Sequence, residues 1–272
     1  MRLLIITFSM LVIAAGVHAQ PRESSVPGGI KIIELDGERA PEVRFQGQRV
    51  LVARSAQGWR AIVGLPLALA PGRYSVEIDR ARVVHSESFE VTDKRYPVQR
   101  LTIPDQRKVD PAPSDLERIR REQRIIAEAK QRWTSIADVD LDFVLPADGP
   151  LSSRFGLARV LNGKPRAPHS GLDLAVPIGT PIRSTAAGVV SVTDDFFFNG
   201  KTVFVDHGQG LISMYCHLDA ITVKPGERIA RGGAIGRSGM TGRVTGPHLH
   251  WSVFLNGALV DPELFVPPRP GS

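Results

Sequence analysis

The stretch GPHLHWSV at residues 246–253 alternates polar with apolar side chains over most of its length. Side chains at even separations on a strand point to the same face, so His248 and His250 share one face and Leu249 lies on the other. The surrounding residues, 150–265, are rich in Gly, Val, Ile and Thr, carry Asn-Gly and Pro-Gly turn signals, and lack a helical period of useful length. This region is therefore predicted to be a mainly antiparallel β domain.

A second polar pair lies upstream, where His169 precedes Asp173 by four residues. Gly171 and Pro177 disfavour a helix here, and an extended segment places both side chains on one face. Imidazoles and a carboxylate that point one way must be paired, solvated or metal-bound, because burying them unpaired costs several kcal/mol. Two imidazoles and one carboxylate are also a familiar catalytic zinc set, which leaves the fourth tetrahedral position open for water.

The predicted β domain is rich in histidine. It contains five of the six histidines that follow residue 19, and His207 and His217 complete the group. The domain therefore carries enough imidazoles for a metal site and for one or two free bases. Zinc brings the pKa of a bound water near neutrality and polarises a carbonyl oxygen. A nearby free imidazole can then act as general base or hold the developing oxyanion.

Other catalytic classes fit the sequence less well. A serine hydrolase of the common type would carry a Gly-x-Ser-x-Gly elbow, which the sequence lacks. A cysteine nucleophile would have to pair Cys216 with His217, but adjacent residues on a strand point to opposite faces. We interpret Cys216 as a small buried apolar residue, and His85, outside the β domain, as a surface or packed histidine.

A series of short motifs runs almost without interruption from Leu151 to Pro262. They are Ser153-Arg154-Phe155-Gly156, His169-Ser170-Gly171-Leu172-Asp173, Gly179-Thr180-Pro181, Ala187-Gly188-Val189-Val190, Asp206-His207-Gly208, Tyr215-Cys216-His217-Leu218, Val223-Lys224-Pro225-Gly226, Gly239-Met240-Thr241-Gly242 and Gly246-Pro247-His248-Leu249-His250-Trp251. In this order they resemble the lysostaphin-type (LytM-like) zinc peptidases, a family of peptidoglycan endopeptidases with a short β-sheet core. One such motif would be weak evidence, whereas the ordered series is strong.

The resemblance implies that one zinc ion is held by His169, Asp173 and His250. It also implies that His217 and His248 are unligated imidazoles that activate water or stabilise the tetrahedral intermediate, with the two roles not divided between them. Some relatives of this type have lost ligands and serve only to bind and activate other wall enzymes. This sequence keeps the three ligand positions and both free histidines.

Three further positions take weaker assignments from the resemblance. His207 falls at a position that looks structural, in a turn between strands. Arg154 and Asn199 are candidates to line the substrate groove.

The predicted function is zinc-dependent hydrolysis of peptide crosslinks in bacterial peptidoglycan, with the D-alanine to diaminopimelate bond favoured by similarity. An endopeptidase that cuts glycine bridges or other bonds in foreign walls is the enzymatic alternative. A non-enzymatic wall-binding or amidase-activating module is the alternative of a different class. Zinc-dependent turnover would separate that module from the enzyme.

Residues 20–103 differ in sequence pattern from the predicted peptidase domain, residues 146–266. Short alternating segments such as Ile30-Lys31-Ile32 and Val43-Arg44-Phe45 lie between turn signals. Several short strands at this spacing predict a small immunoglobulin-like β-sandwich.

Residues 104–145 are predicted to be a linker that carries a charged helix at about 114–133. Ser114 and Glu117 have the form of a capping box at its start. A narrow apolar stripe follows among many Arg and Glu residues, at Leu116, Ile119, Ile126 and Trp133. Such a helix either docks on its own chain or partly covers the active-site groove and regulates it.

The first 19 residues read as a signal peptide. Arg2 precedes an apolar run, and small residues at Val17 and Ala19 predict cleavage before Gln20. The run is shorter than the roughly 20 apolar residues of a transmembrane helix, although an uncleaved anchor is the alternative. A periplasmic or secreted address is therefore predicted, with residues 267–272 as a tail.

The formal net charge of +6 suits an anionic partner, and peptidoglycan stems carry carboxylates. The arginines are scattered without a basic patch interleaved with aromatic residues, so no nucleic-acid partner is predicted. Peripheral association with the envelope is compatible with this charge, and the sequence leaves the oligomeric state open. A single cysteine excludes an intramolecular disulfide, so the fold must depend on its core or on a metal.

Overall fold

The computed structural model describes residues 20–268. The predicted signal segment, residues 1–19, and most of the predicted tail lie outside the described residues. Among the residues that are described, no helix is both long and apolar enough to cross a membrane. Extended antiparallel sheets make up most of the regular structure, which confirms the mainly β class predicted from the sequence.

The N-terminal region consists of two sheets packed face to face. Its strands are β1 (Ile30–Leu35), β2 (Glu42–Phe45), β3 (Gln48–Arg49), β4 (Leu51–Ser55), β5 (Gly58–Gly64), β6 (Gly72–Arg80) and β7 (Val83–Val91). One sheet has the order β1-β5-β4 and the other β3-β2-β6-β7. Buried side chains of both sheets, including Ile33, Phe45 and Val76, form one core between them. The immunoglobulin-like topology predicted for this sandwich stays a prediction.

The β1-β5-β4 sheet also packs against the C-terminal region. Ile30, Leu51 and Ile62 join the core of that region through the second face of the sheet. The amide of Asn256 accepts from the Gly64 nitrogen at 2.6 Å and donates to the Gly64 oxygen at 3.1 Å. The sandwich and the C-terminal region are therefore joined by a shared apolar core and by direct backbone recognition.

The C-terminal region is built around one large antiparallel sheet. Its strands are β9 (Leu151–Ser153), β10 (Ala158–Leu161), β11 (Lys164–Arg166), β12 (Leu172–Leu174), β13 (Pro181–Arg183), β14 (Gly188–Phe196), β15 (Gly200–Gly208), β16 (Leu211–Ile221), β17 (Arg228–Ile229), β18 (Ala234–Ser238), β19 (Leu249–Leu255) and β20 (Ala258–Val260). The sheet has the order β17-β14-β15-β16-β19-β12-β9, with β13, β18 and β20 attached beside it. A 3-10 helix at Pro262–Phe265 follows.

The segment just before the predicted linker contributes strand β8 (Val98–Leu101) to the C-terminal region. Val98–Leu101 forms a strand that runs parallel to β10, and β10 in turn pairs with β11. This strand precedes residue 103, where the sequence placed the end of the sandwich. The strand therefore pairs with the C-terminal region instead of the sandwich, a long-range pairing that alternation within residues 98–101 does not reveal.

The two faces of the large sheet carry different cores. On β19, Leu249, Trp251 and Val253 face the main core, as the alternation predicts. Phe254 faces a second cluster with Met214 and Cys216. Cys216 lies directly opposite His250 in the β16–β19 pairing, so this second cluster borders the histidines on the same face.

The linker helix, α1 (Leu116–Lys130), packs on that second cluster through Ile125, Ile126 and Ala129. It therefore docks on its own chain, beside the histidine-bearing part of the sheet.

The predicted start of α1 and its predicted apolar stripe need correction. A 3-10 turn at Pro113–Asp115 precedes the helix, and Asp115, not the predicted Ser114–Glu117 pair, accepts from the Ala112 nitrogen at 3.1 Å. Leu116 is largely exposed and Trp133 lies beyond the helix end. The Asp115 carboxylate therefore caps the 3-10 turn, which has Pro113 at its first position, and α1 itself begins without a side-chain cap.

Candidate active site

The pairing of β12 with β19 brings the first two polar groups together. Asp173 and His250 are direct partners in this antiparallel pair, so their side chains lie on one face. The Asp173 Oδ1 lies 2.7 Å from the His250 Nδ1. Gly171 permits this approach, because a Cβ there would lie 2.2 Å from the Trp251 carbonyl oxygen.

His169 reaches the same point from the segment before β12. Its backbone is fixed by hydrogen bonds at both ends, from its nitrogen to the Leu157 oxygen and from the Gly156 nitrogen to its own oxygen. Its Nε2 lies 2.9 Å from the Asp173 Oδ1 and 3.0 Å from the His250 Nδ1. The side chains of His169 and Asp173 converge as the sequence predicts, although His169 precedes the strand.

Hydrogen bonds on the outer side of each ring set its orientation. The His169 Nδ1 donates to the carbonyl oxygen of Arg154 at 2.6 Å, which leaves its Nε2 for the centre of the cluster. The His250 Nε2 lies 2.9 Å from the Ser252 hydroxyl, which leaves its Nδ1 for the centre. Such partners are what metal-ligating histidines need, because they fix the tautomer and the direction of the lone pair.

The carboxylate is oriented in the same way. Arg159 donates to the Asp173 Oδ2 at 3.0 Å, and Oδ1 is the oxygen that faces the two imidazoles. Burial opposes ionisation of Asp173, but its contacts with His169 and His250 outweigh burial and hold its pKa well below the usual value. The carboxylate is therefore ionised near neutral pH.

These three residues fit a metal ion. All three are buried, and each directs one donor atom into a common space. Two imidazole nitrogens 3.0 Å apart face each other favourably only with a proton or a cation between them. Two imidazoles and a carboxylate with one further position open are the donor set of a catalytic metal site.

His217 lies beside this cluster at an irregular point of β16. Its φ of +64° is left-handed, and the pairing register of β16 shifts around it. Its backbone nitrogen donates to the Asn199 oxygen at 2.9 Å, and its Nδ1 donates to the Thr241 oxygen at 2.8 Å. Its Nε2 therefore carries the lone pair.

His248 completes the group from the residue before β19. Its Nδ1 donates to the Gly246 oxygen at 2.8 Å, and its Nε2 lies 3.8 Å from the Asp173 Oδ1. The ring centroids of His248 and His217 are 4.8 Å apart. Burial, followed by the charges of His248 and His250, lowers the pKa of His217 well below its usual value. His217 is therefore neutral at physiological pH.

Cys216 lies in surroundings that disfavour a reactive thiolate. It is buried in the cluster beneath α1, and burial raises the pKa of its thiol to about 12. The expected separation of Cys216 and His217 onto opposite faces does not follow, because the left-handed backbone at His217 breaks the strand alternation. The interpretation of Cys216 as a small buried residue fits its complete burial.

His207 lies outside the cluster, in the last part of β15 instead of in the expected turn. Its Nδ1 donates to the Ala187 oxygen at 2.8 Å and its Nε2 is hydrogen-bonded to the Ser213 hydroxyl at 2.7 Å. It is buried, and its ring centroid is 5.6 Å from that of Phe143. These contacts give His207 a structural place, and His85 is an exposed residue of β7.

The two groove candidates, Arg154 and Asn199, contact the histidines of the site with their backbone carbonyl oxygens. The guanidinium of Arg154 pairs with Glu263 at 2.6 Å, whereas its carbonyl oxygen orients His169. The carbonyl oxygen of Asn199 holds the backbone of His217.

Sequence reasoning missed Arg159, Thr241 and Ser252 as supporting residues. Ser252 follows His250 at a spacing of two, so strand alternation places it on the same face and could have identified it. The contacts of Arg159 and Thr241 span 14 and 24 positions in the chain and depend on the folded loops.

Two regions of the chain match models of known protein families, and the C-terminal region is also similar in sequence to characterised relatives. Residues 167–262 match the model of peptidase family M23, and residues 23–94 match that of the M23 N-terminal domain. The chain is 46% identical over 95 residues to the peptidoglycan DD-endopeptidase ShyA of Vibrio cholerae and 40% identical over 121 residues to ShyC of the same organism. These matches cover 35% and 44% of this chain but only 22% and 28% of the two relatives.

A solved structure matches at nearly full length. A protein assigned to peptidase M23 from Pseudomonas aeruginosa is 45% identical, and the match covers 90% of this chain and 96% of that one with a TM-score of 0.77. Both parts of the chain, the sandwich and the region with the histidine cluster, fall within this coverage. On this likeness, and on the family matches in each part, the chain belongs to peptidase family M23.

Proposed function

We propose that this chain is a zinc endopeptidase that hydrolyses peptide crosslinks in bacterial peptidoglycan, at the bond between D-alanine and diaminopimelate. The observation that carries the proposal is the convergence of His169, Asp173 and His250 beside two further imidazoles, His217 and His248. The family assignment and the names of ShyA and ShyC support this activity and this polymer.

In the proposed mechanism, His169, Asp173 and His250 hold one zinc ion. When bound, zinc polarises the carbonyl of the scissile bond and lowers the pKa of a water molecule. His217 and His248 each hold Nδ1 on a backbone carbonyl oxygen, which leaves Nε2 for the substrate side. One of the two rings would accept the proton of the attacking water as its oxygen bonds to the carbonyl carbon, and return that proton to the leaving nitrogen as the C–N bond breaks. The charged ring formed by this transfer stabilises the negative charge on the substrate carbonyl oxygen. Both histidines are assigned catalytic roles. Kinetic measurements on variants of each would decide which one accepts the proton and which one stabilises the negative charge.

The proposed substrate also suggests a cellular location and a role for each region of the chain. Peptidoglycan lies outside the cytoplasm, so residues 1–19 are assigned as a cleaved export signal and the enzyme as periplasmic or secreted. The sandwich of residues 20–103 and the linker of residues 104–145 are assigned a role in placing the peptidase part, residues 146–266, on the polymer. The basic charge of the chain favours association with carboxylate-bearing peptide stems.

The test is mass spectrometry of the soluble products released from purified sacculi by the zinc-loaded chain that begins at Gln20. We expect monomeric muropeptides with a newly freed amine on diaminopimelate, and none from the matched His169→Ala protein. Products cut elsewhere would reassign the bond. Binding to sacculi without any product from the zinc-loaded protein would instead favour a non-enzymatic wall-binding or amidase-activating role.

A further inference from the structure

The loop between β18 and β19 lies along the cluster of histidines. Its Thr241 oxygen accepts from His217 and its Gly246 oxygen accepts from His248, so the loop orients both free imidazoles. Arg243 lies between these two carbonyls in the chain. Arg243 is therefore part of the loop that borders the two free imidazoles.

Arg243 is held in place by aromatic and backbone contacts. Its nitrogen donates to the Phe198 oxygen at 2.8 Å, and its guanidinium carbon lies 4.7 Å from the centroid of the Phe198 ring. The side chain is partly buried. Stacking on an aromatic ring leaves the edge of a guanidinium free to donate two parallel hydrogen bonds to a carboxylate.

The charge of Arg243 is not neutralised within the described part of the chain. Among residues 20–268, no acidic side chain lies within ion-pair distance of its guanidinium, whereas nearby Arg159 pairs with Asp173 and Arg166 pairs with Asp110. Burial, followed by the charges of Arg159 and Arg166, lowers the pKa of Arg243 to about 10. A partly buried cation without a partner, among other cations, is costly unless an anion binds there.

The position of this charge selects the anion. Arg159, one of the two cations whose charge acts on Arg243, donates to the Asp173 carboxylate, and the other oxygen of that carboxylate faces His169 and His250. In a D-alanine to diaminopimelate crosslink, the nitrogen of the cleaved amide is attached to a carbon that bears a free carboxylate. That carboxylate is therefore two bonds from the leaving nitrogen, close to any metal that polarises the scissile carbonyl.

We propose that Arg243 binds the free carboxylate beside the leaving nitrogen and so makes the enzyme selective for crosslinks that carry it. The inference rests on the proposed function and adds the substrate group that is recognised. Crosslinks made of internal glycine residues lack a carboxylate at this carbon, so the same residue disfavours them. Arg243 is thus a specificity-determining residue that contacts substrate but takes no part in proton transfer.

The experiment compares two crosslinked muropeptide dimers that differ at one group. One carries the free carboxylate beside the scissile bond, and the other carries a carboxamide there. Kinetic constants are measured on both dimers for the zinc-loaded wild-type chain, Arg243→Gln and Arg243→Lys. Arg228→Gln, at an exposed arginine of β17 on the far edge of the sheet, is the matched control.

We expect wild type and Arg228→Gln to prefer the carboxylate dimer. Arg243→Gln should lower kcat/KM for that dimer by roughly 10- to 100-fold, the range for a lost charge-assisted contact, while changing the carboxamide dimer little. Arg243→Lys should recover part of the preference, because an ammonium supplies charge without the planar fork. Retained cleavage of the carboxamide dimer shows that Arg243→Gln is folded and loaded with zinc.

Two results would overturn the inference while leaving the proposed function intact. One is a wild-type chain that cleaves both dimers equally well. The other is an Arg243→Gln protein that loses the same factor on both dimers, which would make Arg243 a structural residue of the loop. Failure of the zinc-loaded wild-type chain to cleave either dimer would reject the proposed function, and the inference with it.

Discussion

The guanidinium of Arg159 lies 3.0 Å from the Oδ2 of Asp173, while the Oδ1 of the same carboxylate faces His169 and His250. Arg159 is on β10, which is paired on one side with β8 (Val98–Leu101). Strand β8 therefore supports the residue that orients the carboxylate. Loss of the contact between Arg159 and Asp173 should therefore weaken metal binding, and it should lower activity mainly through that loss of metal.

Replacing Arg159 with Gln should weaken zinc affinity by roughly 10- to 100-fold, the range found for partners that orient metal ligands. The remaining Asp173 carboxylate would be free to rotate away from the two imidazoles. Competition with a chelator of known affinity measures the change. Arg166→Gln is the matched control, because Arg166 contacts Asp110 and not a donor residue. Equal zinc affinity in wild type and Arg159→Gln would contradict a positioning role.

His169→Ala and His217→Ala should separate binding of the metal from turnover. The first removes a donor atom, so we expect loss of zinc on dialysis. The second removes a proton acceptor outside the donor set, so we expect stoichiometric zinc and a turnover lowered by roughly 10²- to 10⁴-fold. Metal analysis and muropeptide release measure the two quantities. Zinc lost from His217→Ala but kept by His169→Ala would reverse the assignment.

The residues of the site could be predicted from the sequence because strand geometry repeats every two residues. That period alone places His248 with His250 and His169 with Asp173, and the family resemblance added the role of His217 and the ligand set. All five side chains do converge in the structure. Their assigned roles stay predictions until metal and kinetic measurements are made.

What could not be predicted depends on contacts between distant parts of the chain. The left-handed φ at His217 turns its side chain toward the cluster against the strand alternation, and nothing in its neighbouring residues signals that change. The parallel strand at Val98–Leu101 needs β10 as a partner 60 positions away in the register. Arg243 is one of many scattered arginines until the fold shows that it lacks an acidic partner.

Glu122 should be important for stability although it belongs to a charged helix. It is buried, accepts from the Phe197 nitrogen at 2.7 Å and pairs with Arg118 at 2.6 Å. Glu122→Ala leaves a buried N–H group unpaired, so the free energy of unfolding should fall by about 1–3 kcal/mol. Chemical denaturation measures the change. Glu128→Ala, at an exposed position of the same helix, should stay within about 0.5 kcal/mol of wild type, because alanine is at least as good a helix former as glutamate. An equal loss in both proteins would contradict a special role of the buried contact.

His207 should make the protein less stable as the pH falls below 6.5. Burial lowers the pKa of its imidazole in the folded state, against the hydrogen bond to Ala187 that raises it. As the pH falls, the unfolded chain therefore takes up a proton at His207 before the folded chain does. The contribution of neutral His207 to the free energy of unfolding is complete above pH 6.5 and is lost as the pH falls toward the pKa of His207 in the folded protein. The free energy of unfolding of wild type and of His207→Gln, measured from pH 7.5 down to pH 4.5, should differ less at the acidic end. The difference between the two proteins cancels the titration of the histidines at the candidate site, which both proteins retain. A difference that stays constant over the whole range would show that His207 keeps an ordinary pKa in the folded protein.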